Sequence, residues 1–252
     1  MSRIIGVLNY KGGTGKTTTV VNLAAGLALH GARVLCIDLD AQGSLATHLG
    51  VRYTHSLAHL LLGQVRPRAC IVQARHNLDL IPSDSNLLQA EVKMWRINDD
   101  QVVRRMLINR MHGLEDEYEY IILDFSPSAS LLSESGLRYA RELIVPVSMG
   151  YMALVGLRQV IEALKALRQA LEQRRARLYL IVPTFYSNRL RQDQEVVETL
   201  RHYFSSKVTN PIRANVKISE APSHHKSIYE YAPRSTGAVD HAHLVERVLR
   251  DG

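Results

Sequence analysis

The amino-acid sequence predicts an α/β fold, with a doubly wound, mostly parallel sheet that has helices on both of its faces. Apolar runs of strand length alternate with longer stretches of helical periodicity, which is typical of parallel strands joined by crossover helices. A glycine-rich segment lies between the first apolar run and the first helical stretch. Two later apolar runs end in aspartate, and such strand ends form the ligand-binding edge of these sheets.

The individual elements follow from this alternation. The first strand is predicted at 3–8 and the first helix at 18–30, with Gly31 as its C-terminal stop. Further strands are predicted at 33–40, 78–82, 120–124, 142–147 and 177–183. Further helices are predicted at 54–64, 86–113, 129–140, 153–173, 191–205 and 238–250. Because no repeat, low-complexity segment or linker interrupts the pattern, we expect residues 1–252 to form a single domain.

The composition is that of a basic globular protein. The 252 residues are 46% hydrophobic and carry a net charge of +7, which favours polyanionic partners such as nucleic acid or an acidic membrane. No apolar run could span a bilayer, and we expect no leader before the first strand, which begins at Arg3. We therefore expect a cytoplasmic protein with no separate sequence-specific DNA-binding domain before that strand. Cys36 and Cys70 form no metal or redox motif.

Residues 11–18 read Lys-Gly-Gly-Thr-Gly-Lys-Thr-Thr, and this turn between a strand and a helix is suited to bind phosphate. Glycines allow backbone N–H groups to converge on an anion, and the helix start adds the positive end of its dipole. In this pattern Lys16 reaches the outer phosphates and the Thr17 hydroxyl binds Mg²⁺. The predicted phosphate-binding residues are Lys11, Gly12, Gly13, Thr14, Gly15, Lys16, Thr17 and Thr18.

The loop differs from the common phosphate-loop pattern at its start. Tyr10 occupies the position of the first glycine, and a second lysine, Lys11, follows it. Lys11 could contact the nucleotide of its own chain or one bound in a second subunit, and the spacing does not decide between them. The segment resembles the deviant Walker A motif of the ParA/Soj/MinD group of P-loop ATPases. The resemblance implies a P-loop NTPase fold, ATP and Mg²⁺ as cofactors, and an ATP-sandwich homodimer in which Lys11 contacts the phosphates of the other subunit.

Aspartates at two strand ends are expected to complete the site. Asp38 and Asp40 end one predicted strand and Asp124 ends another; Mg²⁺ prefers oxygen ligands and retains several waters, although such aspartates also cap turns. Residues 37–43 resemble the ParA switch I segment, D-x-D-P-Q-G, and residues 123–128 resemble its Walker B segment, D-x-P-P-S. The resemblance implies that Asp40 positions the attacking water and approaches Mg²⁺ through water, and that Asp124 holds Mg²⁺ through water.

Two positions differ from the family pattern within these segments. Ala41 and Ser126 stand where proline is usual, a change that affects loop stiffness but removes no charged group, so hydrolysis is expected to survive. The resemblance implies hydrolysis of ATP to ADP and phosphate, with Lys11, Lys16 and Asp40 as the catalytic residues. Because phosphoryl transfer depends on positioning and charge neutralisation, we expect slow turnover that a partner accelerates.

The last third of the chain extends the resemblance. Residues 215–224 resemble the ParA signature N-V-R-L-S-E-A-P-S-H, and residues 231–238 resemble the following Y-D-P-R-S-x-G-A. The match implies that Asn215 lies near the adenine, and that basic residues bind double-stranded DNA without sequence preference. The expected DNA-binding residues are Lys217, which matches a family position, and, in the matching loop region, Arg189 and Arg191.

The sequence therefore predicts an ATP-dependent DNA-partitioning or cargo-positioning ATPase that is cytoplasmic and associated with the nucleoid. A ParB-like partner is expected to stimulate its ATP hydrolysis and thereby release it from DNA.

The alternative is a membrane-cycling ATPase like MinD, which requires an amphipathic tail. Residues 238–252 have apolar side chains at helical spacing but lack bulky aromatics, so we expect them to form the fold's own last helix, and no membrane binding. A third alternative is a metabolic or redox relative, such as nitrogenase iron protein or an amide-forming synthetase, and the two cysteines are badly placed for an iron cluster. The cargo is not encoded in these motifs.

Overall fold

A single seven-stranded sheet organises the structure, a computed structural model that describes residues 2–97, 99–149, 153–170 and 176–251. Its strands are β1 (Arg3–Val7), β2 (Val34–Leu39), β3 (Val72–Arg75), β4 (Leu78–Ile81), β5 (Tyr120–Phe125), β6 (Glu142–Ser148) and β7 (Arg177–Thr184). They lie in the order β3-β4-β2-β5-β1-β6-β7, and all neighbours are parallel except β3 and β4. The doubly wound, mostly parallel sheet is confirmed.

Helices cover both faces of this sheet, as predicted. They are α1 (Lys16–Leu29), α2 (Ser44–Leu49), α3 (Leu57–Leu61), α4 (Asn86–Trp95), α5 (Asp100–Arg104), α6 (Met106–Met111), α7 (Leu131–Tyr139), α8 (Ala153–Ala170), α9 (Arg191–Phe204), α10 (Val216–Glu220), α11 (Ile228–Tyr231) and α12 (Thr236–Arg250). Successive side chains of β1 enter opposite layers, as strand geometry requires. Ile4 belongs to a core cluster that includes side chains of α3, α4, α6, α7 and α8, and Ile5 belongs to one that includes side chains of α1, α2 and α12.

The elements differ from the prediction mainly between β2 and β5. The helix predicted at 86–113 is three helices, α4, α5 and α6, because Asp99 starts a new one: its carboxylate accepts hydrogen bonds from Gln101 and Val102 N–H groups. The helix predicted at 54–64 is the shorter α3. The edge strand β3 is not predicted because half of its four residues are polar. The short helices α2, α10 and α11 are not predicted either. Residues 171–173 of the helix predicted at 153–173 lie outside the described residues.

The last helix, α12, belongs to the fold and packs against α1. Val245 and Val248 are fully buried, and a Cβ added at Gly26 of α1 would come within 2.4 Å of a Val245 methyl group. Only glycine allows the two helices to approach this closely. The apolar face of α12 is therefore covered by its own chain. Among the described residues, no helix combines the length and the apolar character needed to cross a membrane.

Candidate nucleotide-binding site

The glycine-rich loop lies between β1 and α1, and its backbone conformation explains two of its glycines. Gly13 and Gly15 have positive φ angles of 71° and 84°, which glycine adopts without strain. Gly15 directly precedes Lys16, the first residue of α1, so the unpaired N–H groups of the helix start lie at the end of the loop. Asn9 fixes the loop at its start, since its side chain accepts from the Lys11 N–H at 2.9 Å and donates to a β6 carbonyl at 2.8 Å.

Lys16 lies inside this loop. It is 8% exposed, and its Nζ donates a hydrogen bond to the backbone carbonyl of Lys11 at 3.3 Å. Burial lowers the pKa of Lys16, whereas the carboxylates of Asp124 and Asp40 act in the opposite direction. A bound polyanion would compensate this desolvated ammonium.

Asp124, near the end of β5, is a buried carboxylate without a partner. It is 1% exposed, and neither of its side-chain oxygens accepts a hydrogen bond within the part of the chain that the structure describes. Burial raises the pKa of Asp124, while the Thr17 hydroxyl and the Lys16 ammonium oppose that rise. Such a carboxylate is costly unless a cation or its water compensates it.

These surroundings fit Mg²⁺. The described residues contain no group of three or more His, Cys, Asp or Glu side chains that could enclose a metal ion. Mg²⁺ is usually held by one or two carboxylates together with water and substrate phosphates, rather than by a cage of protein ligands. Asp124 and the Thr17 hydroxyl, which lies close enough to lower the pKa of Asp124, are the residues that could hold it.

Asp38 and Asp40 lie two residues apart but have different surroundings. Asp38 is fully buried beside Asp124, and its carboxylate accepts hydrogen bonds from Asp40 N–H and from the first turn of α2 at 3.0 and 3.1 Å. Desolvation and then the charge of Asp124 raise the pKa of Asp38. Asp40 is only partly buried, and one of its oxygens accepts from the Gln42 N–H at 3.0 Å. Asp38 thus fixes the loop, and Asp40 retains an oxygen that can hold a water molecule.

Lys11 is exposed at the front of the loop. Its backbone N–H is bound by Asn9, but its ammonium group forms no hydrogen bond or ion pair with any residue in the described ranges. Lys11 therefore does not neutralise any of the carboxylates that the structure describes. Its ammonium group is therefore available to contact an anion. This geometry fits contact with the nucleotide of its own chain and contact with a nucleotide bound in a second subunit.

A pocket of about 400 Å³ extends from the end of the loop to α10, a size that ligand sites commonly have. Gly15 and Thr18 line one side and Asn215 lines the other. Both ends of the Asn215 side chain are already bound: Oδ1 accepts from Lys217 N–H at 2.8 Å and Nδ2 donates to the Thr236 hydroxyl at 2.6 Å. Its predicted contact with adenine stays a prediction. A larger pocket, of about 580 Å³, contains none of the predicted site residues.

The structure also places residues at the 400 Å³ pocket that no motif indicated. They are Thr184 and Phe185, at and just after the end of β7, and His241, inside α12. The rule that ligands bind at the carboxyl ends of strands could have drawn attention to Phe185. No sequence signal marks His241, because α12 reaches the pocket only through tertiary packing.

The residues predicted to bind DNA lie on neighbouring segments. Tyr186, in the loop after β7, forms a parallel bridge with Arg213. This bridge brings the loop that carries Arg189, and that leads into α9 at Arg191, beside the segment that leads to Lys217. All three predicted residues are exposed, so the fold provides a basic surface on one side of the pocket.

Two of these cations have acidic neighbours. Arg191 lies 2.9 Å from Glu195, and Lys217 lies 2.8 Å from Glu220. Exposed ion pairs of this kind contribute about 0–1 kcal/mol. They would not prevent either cation from contacting a phosphate group.

Acid should destabilise the fold through His241. Burial lowers the pKa of His241 from 6.5 to about 4, against smaller opposing effects of the Gly237 carbonyl and Asp240. The unfolded chain takes up the proton near pH 6.5 and the folded chain resists it, so this contribution is present above pH 6.5 and is lost as pH falls towards 4. We expect it to lower the free energy of unfolding by about 2 kcal/mol between about pH 7 and about pH 4.5.

Urea denaturation at these two pH values tests this expectation. His241→Phe should lose the acid-dependent component, and His76→Asn, at an exposed histidine, is the matched control. An equal loss of stability in acid for the wild type and His241→Phe would contradict it.

Comparison with known proteins gives consistent matches. Residues 2–176 match a family model described as an AAA domain. The chain is 38% identical to the chromosome-partitioning ATPase Soj of Thermus thermophilus, over 98% of this chain and 95% of that one. It is 34% identical to the sporulation initiation inhibitor protein Soj of Bacillus subtilis, over 100% of both. A solved structure of cobyrinic acid a,c-diamide synthase from Mycobacterium smegmatis, with bound ATP analogue and magnesium, gives a TM-score of 0.84 at 27% identity, over 99% of this chain and 95% of that one.

Proposed function

This chain belongs to the ParA/Soj family of chromosome-partitioning ATPases, and from that premise we propose that ATP controls a dimer of it that binds DNA without sequence preference. Residues 1–252 act as a single ATPase domain, cytoplasmic and associated with the nucleoid. The observation that supports the ATPase site best is Asp124, whose buried, unpartnered oxygens lie beside Lys16 and the positive-φ glycine loop.

Each residue of the site has a role in hydrolysis. Lys16 and the loop N–H groups hold the β- and γ-phosphates and neutralise their charge. Asp124, through water, and the Thr17 hydroxyl would hold Mg²⁺. Mg²⁺, when bound, supplies further charge neutralisation at the phosphates. Asp40 orients the attacking water through its remaining oxygen.

Lys11 makes ATP binding a signal for dimerisation. Its ammonium lacks a described partner in its own chain, so it can enter a second site without first breaking a contact. A lysine that contacts the phosphates of the nucleotide bound to the other subunit stabilises the dimer only when a nucleoside triphosphate is present. The homodimer is therefore expected with ATP and not with ADP.

Dimerisation places two copies of the basic surface, one from each subunit, in the same dimer. Binding to phosphates releases counterions, so affinity rises steeply with the number of contacts and falls steeply with salt. Two copies held together also gain from a high effective concentration. Hydrolysis separates the copies and releases the DNA.

Lys217→Glu is expected to weaken ATP-dependent binding to a random-sequence duplex by about 10-fold at moderate salt, because it reverses a charge that contacts phosphate. Fluorescence anisotropy with ATP and Mg²⁺ measures the affinity, and the salt dependence should become less steep. Lys165→Glu makes the same charge change at an exposed position of α8 and is the control. Equal affinities for the two variants would contradict the role of Lys217.

A partner that resembles ParB is expected to stimulate turnover, through a short basic segment. The Asp40 carboxylate lies on a loop, where one of its oxygens accepts a hydrogen bond from the Gln42 N–H. This limited support is consistent with slow ATP hydrolysis until a partner orders the loop. A high rate of hydrolysis that no partner changes would contradict this part of the proposal.

The alternatives have less support. The apolar face of α12 is covered by α1, so the membrane-binding tail that a MinD-like cycle requires is not provided by this helix. The diamide synthase is less similar in sequence than Soj, at 27% against 38% identity. Sedimentation with liposomes but not with DNA, in the presence of ATP, would favour the membrane alternative.

A further inference from the structure

Phe185 has an unusual backbone conformation beside the phosphate loop. Its φ angle is 55°, a region in which bulky residues are rarely found and which costs free energy. Hydrogen bonds on both sides hold the chain there, from Met149 N–H to the Thr184 carbonyl at 3.0 Å and from Tyr186 N–H to Ile212 at 3.1 Å. Conformational strain that neighbouring structure maintains is a feature of ligand sites.

This conformation places an exposed aromatic ring at the pocket. Phe185 is 49% exposed, and two atoms of its ring would lie 3.7 and 3.9 Å from a Cβ added at Gly15. The ring thus lies next to the last glycine of the loop, on the side from which the pocket extends to α10. An aromatic ring at this point offers a face on which a nucleobase can stack.

His241 contributes a hydrogen-bond acceptor to the same pocket. Its Nδ1 lies 2.9 Å from the carbonyl oxygen of Gly237. Because a carbonyl oxygen only accepts, Nδ1 carries the proton, and in the neutral ring Nε2 is an acceptor. Nε2 has no hydrogen-bond partner in the described portion of the chain.

Other polar side chains at the pocket do not provide an equivalent group. The Arg213 guanidinium is bound to both carboxylate oxygens of Asp240, at 2.6 and 2.9 Å. The Thr184 hydroxyl donates to the Thr14 carbonyl at 3.0 Å, and the Asn215 side chain is bound at both ends.

Three more residues of the pocket wall carry hydroxyl groups. The Thr19 hydroxyl donates to the Gly15 carbonyl at 2.8 Å, and those of Thr18 and Ser219 remain. A hydroxyl both donates and accepts, so it does not distinguish an amino from an oxo group. Among the described residues of this wall, Nε2 of His241 is therefore the acceptor-only side-chain atom that has no hydrogen-bond partner.

We propose that Phe185 and His241 read the base of the nucleotide: the base stacks on Phe185, and Nε2 of His241 accepts a hydrogen bond from the 6-amino group of adenine. A 6-oxo purine would place an acceptor against this acceptor and is disfavoured. The inference rests on the proposed ATPase function and adds the residues that make the site specific for adenine.

Calorimetric titration with Mg²⁺ tests the proposal with four ligands: ATP, inosine triphosphate, GTP and inorganic tripolyphosphate. The wild type should bind ATP about 10-fold or more tightly than inosine triphosphate. His241→Phe should remove most of this difference, and His241→Leu, a smaller replacement, should do the same if the larger ring is not tolerated. Both variants should bind tripolyphosphate like the wild type, because the loop that holds the phosphates is unchanged.

Substitution of Phe185 should have a different signature. Phe185→Ala should weaken ATP and inosine triphosphate alike, by about 10-fold, and leave tripolyphosphate unchanged. Phe185→Tyr keeps the aromatic face and should restore the affinity. A purely structural role would weaken tripolyphosphate as well.

The outcomes separate this inference from the proposed function. Equal affinity of the wild type for ATP and inosine triphosphate would overturn the role of His241, and full ATP affinity in Phe185→Ala would overturn stacking. In both cases binding of ATP itself would still support the ATPase. Failure of the wild type to bind either ATP or tripolyphosphate would overturn the proposed function and, with it, the inference.

Discussion

Lys16→Ala is expected to reduce ATP hydrolysis by about 1,000-fold, the largest catalytic effect of any single change in this chain. The Lys16 ammonium is buried within the phosphate loop, and the carboxylates of Asp124 and Asp40 act on it. Charge that develops on the transferred phosphoryl group would lose its nearest fixed cation. Phosphate release under saturating ATP and Mg²⁺ measures the effect.

The fold should not depend on Lys16. Removal of Lys16 relieves the desolvation cost that lowers the pKa of its ammonium. The buried Asp124 loses a neighbouring cation, but it can take up a proton instead of remaining charged. Thermal unfolding of Lys16→Ala without nucleotide should therefore resemble that of the wild type. Lys16→Arg should also be inactive, because a planar guanidinium does not replace a compact ammonium in a closed loop. Wild-type turnover in either variant would contradict the assignment.

Lys11→Ala is expected to abolish ATP-dependent DNA binding while leaving ATP binding within about 3-fold of the wild type. Lys11 is exposed and has no described partner, so its removal leaves the loop and Lys16 in place. If Lys11 acts on the other subunit, the variant binds ATP but does not form the dimer that binds DNA. Nucleotide titration and DNA anisotropy on the same preparation measure both properties, and Lys165→Ala is the control for loss of one positive charge.

Motifs predicted the part of the site that local chain geometry determines. The phosphate loop follows from glycines at positions that adopt positive φ angles, Gly13 and Gly15. Asp124 is predicted to lie at the site because a parallel sheet brings the carboxyl ends of its strands to one edge. In both cases a short stretch of chain carries the information. The sequence does not show that both Asp38 oxygens accept hydrogen bonds whereas only one Asp40 oxygen does, because the second Asp38 bond comes from α2.

Other parts of the site depend on contacts between distant segments. His241 reaches the pocket only because α12 packs against α1, some 200 residues away in the chain. Phe185 has its conformation because segments on both sides of it are hydrogen-bonded to other elements. In the fold, likewise, the continuous apolar periodicity of 86–113 conceals the helix start that Asp99 creates. Periodicity reports which residues are buried and not where the chain turns.

The molar mass of the ATP-bound protein shows directly whether Lys11 makes ATP a dimerisation signal. Asp40→Ala should slow hydrolysis and allow the dimer to accumulate, so light scattering with ATP and Mg²⁺ should give the mass of two chains. Asp40→Ala combined with Lys11→Ala should give the mass of one chain although ATP is still bound. If the doubly substituted protein forms a dimer with ATP bound, this role of Lys11 is contradicted.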